Sequence, residues 1–108
     1  MRIRFHEKLY TDDFSNRQLA SIKKKVALHS PRLRLYLVTL PFGNQGILEV
    51  YWYPELLQKI YRKMNGEIVV VGVARDRDTA FLLIERIISE IGVQENHIPV
   101  REFFEENR

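Results

Sequence analysis

The chain has 108 residues, 45% of them apolar and 29% charged, enough for one hydrophobic core without covalent staples. It has no cysteine, which excludes disulfides, thiolate metal sites and cysteine nucleophiles. A net charge of +3 permits an anionic partner without requiring one. The longest apolar run, IVVVGVA, is far shorter than the roughly 20 residues that cross a bilayer, so no membrane partner is expected. The opening MRIRFHEK alternates charge with apolar residues and lacks a signal-peptide core, so the expected compartment is the cytoplasm.

Residues 2–6 alternate, with Ile3 and Phe5 on one side and Arg2, Arg4 and His6 on the other, which predicts a strand with one wet face. Thr11, Asp12 and Asp13 then have turn composition. Ser15 and Gln18 form a capping box for a first helix, with Phe14 and Leu19 placed as a hydrophobic staple. Its stripe is Leu19, Ile22 and Val26, and Lys23, Lys24 and Lys25 complement the helix dipole before Ser30 and Pro31 stop it.

Residues 32–40 alternate again, Leu33, Leu35 and Leu37 inward and Arg32, Arg34 and Tyr36 outward. PFGNQG predicts a hairpin loop leading to a third strand over 47–53. On that strand Glu49, Tyr51 and Tyr53 share one face, and Leu48, Val50 and Trp52 the other. Pro54 predicts the start of a second helix with Leu56, Leu57, Ile60, Tyr61 and Met64 inward, closed by Asn65 and Gly66.

Gly66–Gly92 is the centre of the chain: an all-apolar strand, Ile68–Ala74, then an amphipathic helix ended by Gly92. The strand is apolar on both faces, as a central strand covered on both sides must be. Asp76 is placed to cap the helix, whose stripe is Ala80, Leu83, Ile84, Ile87, Ile88 and Ile91. After it, Ile98, Val100 and Phe103 suggest a short strand that Pro99 confines to an edge, with a helical turn through VREFFEE as the competitor.

The resulting order, β-α-β-β-α-β-α-β, predicts a single α/β (α+β) domain over 1–108. Its mixed sheet would have about five strands with three helices. Its first six elements match the βαββαβ order of ferredoxin-like domains, with one αβ unit added and the helices mostly on one face. A flavodoxin-like three-layer arrangement, with helices on both faces, is the alternative.

Three places could carry function. The strand-helix turn ARDRDT, with Arg75, Arg77 and Thr79 at a helix N-terminus, could hold an anion. It lacks the glycines of dinucleotide and P-loop motifs, and Asp76 and Asp78 oppose a phosphate, so a capped and solvated turn is the simpler reading. The loop LPFGNQG offers Asn44 and Gln45, though hairpins need such residues for conformation alone.

The third place is a sheet face. If the first two strands are neighbours, Arg2, Arg4, Arg32 and Arg34 project together and Tyr51 and Tyr53 join them. That mixture suits single-stranded nucleic acid, although Glu49 interrupts it. The same face would equally serve a homodimer. His6, His29 and His97 stand on different elements, without metal-ligand spacing, and read as surface or boundary residues. No hydrolase, protease or cofactor motif is present, so catalysis has little support and no cofactor is expected. The acidic end, Glu102, Glu105 and Glu106, reads as solvated.

The run LEVYWYPELLQKIYRK followed by IVVVGVARDRDTAFLLIERI resembles that of small uncharacterised bacterial proteins, over the second half of the chain. The resemblance implies a bacterial cytosolic protein and assigns no activity. Binding or assembly, with self-association through the exposed strand face, is the expected role.

Overall fold

The computed structural model describes residues 2–12, 14–41, 48–58, 66–93 and 103–104. Within them the chain forms β1 (Arg2–Thr11), α1 (Asn16–Ala27), β2 (Tyr36–Thr39), β3 (Glu49–Trp52), a 3-10 helix (Tyr53–Leu57), β4 (Glu67–Ala74) and α2 (Arg77–Val93). The expected loop residues Asn44 and Gln45, the segment from Ile60 to Asn65, His97, the run Ile98 to Val100, and Glu102, Glu105 and Glu106 lie outside the described residues.

The strands make one mixed sheet in the order β1-β4-β2-β3. β1 runs parallel to β4, and β2 runs antiparallel to both β4 and β3. β4 is central, as its all-apolar composition requires. Ile68, Val70 and Val73 face a cluster containing Ile22 and Val26 of α1. Val69, Val71 and Ala74 face the other way, toward Leu83, Ile87 and Ile91 of α2. A bulge between Gly72 and Val70, opposite Val38 and Thr39, shifts the alternation so that Val73 joins the α1 side.

Among the described residues, α1 therefore covers one face and α2 the other. The expectation of a ferredoxin-like order with helices mostly on one side is corrected by this layering. The helices stand as in the three-layer alternative, although the sheet is mixed rather than parallel. The cause is β4: both its faces are apolar, so each needs its own cover.

The local signals act as the residues dictate. Ser15 and Gln18 exchange their capping bonds, at 2.8 Å to Gln18 Oε1 and 3.2 Å to Ser15 Oγ. Asp76 accepts the Thr79 N–H at 2.7 Å and caps α2; this backbone bond also holds its carboxyl below the ordinary value. The first helix ends in a Schellman motif. His29 N–H donates to the Val26 carbonyl and Ser30 N–H to that of Lys25, with His29 in the left-handed region at φ 55°.

Two expected helix ends change. α2 runs past Gly92 to Val93. The helix expected from Pro54 is a short 3-10 turn, because Gln58 is extended at φ −65°, ψ 148° and cannot continue it. The final residues described, Phe103 and Phe104, are helical and buried rather than part of a strand.

Candidate functional site

The four arginines of the expected basic face do not meet. β4 lies between β1 and β2, so the first two strands are not neighbours. Arg2 pairs with Glu67 at the start of β4, whereas Tyr36 pairs with Ala74 at its end. Arg32 and Arg34 are exposed, precede Tyr36 and lie beyond that far end. Arg2 and Arg4 are also bound to one carboxylate: Glu67 accepts from Arg4 Nε at 3.0 Å and from Arg2 at 3.3 Å. The Arg4 hydrogen bond, reinforced by both guanidinium charges, holds the Glu67 carboxyl below its usual range.

The tyrosines stand on the opposite, α1 side. Tyr51 is half-buried and donates to Glu49. Tyr53 is 0% exposed and packs in the same cluster, which makes it a core residue rather than a stacking surface. Its hydroxyl has no hydrogen-bond partner, and burial raises its pKa.

The turn at Arg75, Arg77 and Thr79 borders a cavity of only about 70 Å³. Arg75 lies over Phe14 at 4.4 Å and Arg77 over Phe81 at 5.6 Å, so both guanidiniums rest on aromatic rings. Thr79 N–H is held by Asp76. The turn is built as a cap.

His6 is the histidine that departs from expectation. It is 4% exposed, with its Nε2 2.8 Å from the Phe104 carbonyl oxygen. Its Nδ1 accepts the Lys8 N–H at 2.9 Å, which leaves the ring proton on Nε2 as the donor to Phe104. The face of β1 expected to be wet is covered here by the two phenylalanines. Among the described residues no group of three or more His, Asp or Glu is placed to hold a metal. Nor is any described helix long and apolar enough to cross a membrane.

What the fold does assemble is an aromatic groove along β3. A concavity of about 470 Å³ is bordered by Tyr36, Val50, Trp52, Phe81, Glu55 and Arg77. The Tyr36 and Trp52 rings lie 4.7 Å apart, tilted by 46°, and Phe81 is 44% exposed on the facing helix. α2 packs over β4, β2 and β1 and leaves β3 less covered. The sequence pattern puts Val50 and Trp52 on one face, Tyr36 outward and Phe81 on the flank of the α2 stripe. The signal available was their shared aromatic character; their meeting depends on strand order.

β3 is also an edge strand, and its backbone polarity follows from one bond. Tyr53 N–H donates to Leu35 O at 2.9 Å. Hydrogen-bonded pairs alternate in an antiparallel ladder, so Leu37–Tyr51 and Thr39–Glu49 are the bonded pairs. The backbone N–H and C=O groups of Val50 and Trp52 therefore point away from β2, toward the open edge. In comparisons with family models, curated proteins and solved structures no match was found for this chain, so its function is read from this geometry.

Proposed function

We propose that this chain is an assembly module that joins a second copy of itself edge to edge through β3. The observation that carries the reading is the outward row of backbone groups at Val50 and Trp52, flanked by the aromatic groove. An unpaired strand edge binds another strand by main-chain hydrogen bonds, and neighbouring side-chain pockets supply specificity.

A two-fold axis at Tyr51 gives a self-consistent register. Val50 then faces the partner's Trp52 and the two exchange both backbone bonds, as an isologous interface demands. On the α2 side the partner's Trp52 enters the groove beside Val50. Glu55 and Arg77, both on the groove and without an ion pair among the described residues, supply the opposite charges that a self-complementary surface needs. The other sheet edge is less suited. β1 is interrupted by a bulge between Phe5 and Tyr10 and carries Arg2, Arg4, Glu7 and Lys8, features that discourage edge pairing.

Val50→Pro tests this directly. Proline removes the outward N–H, a position an edge strand tolerates. Light scattering at millimolar concentration is expected to show a dimer for the native chain and a monomer for Val50→Pro with helix and strand content unchanged. Phe81→Glu, on the exposed helix face, is expected to weaken the same dimer. A monomeric native chain, or a dimer indifferent to both changes, overturns the reading.

A further inference from the structure

A second concavity lies on the other side of the sheet, away from the groove. It measures about 610 Å³, within the range of small-molecule sites. Its apolar wall comes from three elements: Ile3 and Phe5 of β1, Val26 of α1, and Leu56 and Leu57 of the 3-10 helix. These residues belong to, or pack against, the α1-side core.

The charged groups described along the lining have one sign. Lys23, Arg2 and Arg4 border the cleft together with the His29 imidazole, and among the described residues no carboxylate does. Arg2 and Arg4 share a single carboxylate, Glu67, on the opposite face, which draws both side chains away from the cleft. Lys23 is not: its ammonium stands 5.9 Å from the Phe5 ring centroid, and it has no carboxylate partner among the described residues. This exposed ammonium beside the apolar wall is available to an anion bound in the cleft.

Two further features separate this cleft from an ordinary packing defect. His29, the left-handed residue that closes α1, sets an exposed imidazole on the lining of the cleft. Tyr53 also borders the cleft, sealed from solvent with its hydroxyl unpaired. Buried hydroxyls in folded proteins are normally satisfied, so a donor left over beneath an apolar wall is unusual.

We infer that this cleft binds a small amphipathic anion, an apolar body bearing one carboxylate or phosphate. The apolar body lies on Phe5, Val26 and Leu56, and the headgroup is held at the mouth by Lys23 and His29. A purely polar anion would leave the apolar wall wet. A neutral apolar molecule would leave Lys23 uncompensated. Only a ligand with both parts uses the whole lining. This site is independent of the β3 edge, on the other face of the sheet.

The test uses the full chain and three probes: dodecanoate below its micelle concentration, dodecanol kept within its low aqueous solubility, and inorganic phosphate. One-to-one binding of dodecanoate is expected by calorimetry, with amide shifts confined to residues 3–5, 23–29 and 53–57. Dodecanol and phosphate should each bind at least about tenfold more weakly, since each forfeits one of the two interactions. Lys23→Glu, on an exposed helix position, should weaken dodecanoate about tenfold or more while the fold persists. Ser89→Glu, at an exposed position of α2 on the opposite face, should change nothing. Equal binding of dodecanoate and dodecanol, or indifference to Lys23→Glu, overturns the assignment. So does capture of the protein by phosphatidylglycerol vesicles with no binding of monomeric dodecanoate, which would make the cleft part of a membrane-surface contact.

Discussion

His29 and the two buried tyrosines show how much a single side chain can carry here. His29 sits at the residue after the α1 cap, where both Schellman bonds require a left-handed backbone. A side chain with a Cβ is strained there by about 1–2 kcal/mol, while glycine loses part of that gain to unfolded-state entropy. His29→Gly is therefore expected to stabilise the domain by about 0.5–1 kcal/mol, visible as a higher denaturant midpoint with an unchanged slope. Tyr10 and Tyr53 set the alkaline limit. Burial raises both pKa values, and at Tyr10 the hydrogen bond to Glu90 and the charge of that carboxylate add to the effect. A raised value means stability fully present below the ordinary tyrosine pKa of 10.0 and lost as pH climbs above it. Each tyrosine is expected to remove up to about 1.4 kcal/mol per pH unit in that range. Phenolate absorbance should then show both titrating late and together with unfolding; early titration of either would refute its burial.

Among elements, β4 carries the fold and β3 carries the contact surface. The bulge in β4 brings Gly72 against its neighbours so closely that an added Cβ would stand 3.1 Å from Val38 Cβ and 3.4 Å from the Tyr10 carbonyl. Gly72→Val should cost about 2–3 kcal/mol by overpacking, measured by chemical denaturation; a neutral result would mean the strands can part there without loss. α2 contributes through Leu83, Ile87 and Ile91, each worth roughly 1.5–3 kcal/mol of burial before entropy. β3 is short, four residues followed by Pro54, a combination that keeps an open edge from pairing along a long stretch. The Val50→Pro monomer predicted above belongs to this scale, since it removes one backbone donor and leaves the side-chain core in place.

At the scale of the molecule, the sheet separates two surfaces of different character: an aromatic groove with both charges on the α2 side, and a cleft on the α1 side that is basic and apolar among the described residues. The likeness of the second half of the chain to small bacterial proteins stays an expectation about its origin. Much of the architecture was legible from local rules. The Ser15–Gln18 box, the Asp76 cap, the inward Leu33, Leu35 and Leu37, and the apolar stripe of α2 depend on residues within one or two turns of each other. The centrality of Ile68–Ala74 was legible too, because a strand apolar on both faces has nowhere else to go. Strand order was not. It depends on which edges meet across tens of residues, and β4 came between β1 and β2, placing Arg2 and Arg4 far from Arg32 and Arg34. The same long-range pairing buried His6 beneath Phe104 and Tyr53 beneath α1, and it gathered Tyr36, Trp52 and Phe81 into a groove. Short-range patterns specify which face of an element is apolar. Which elements share that face is settled by non-local packing, and every candidate surface of this protein is made of such meetings.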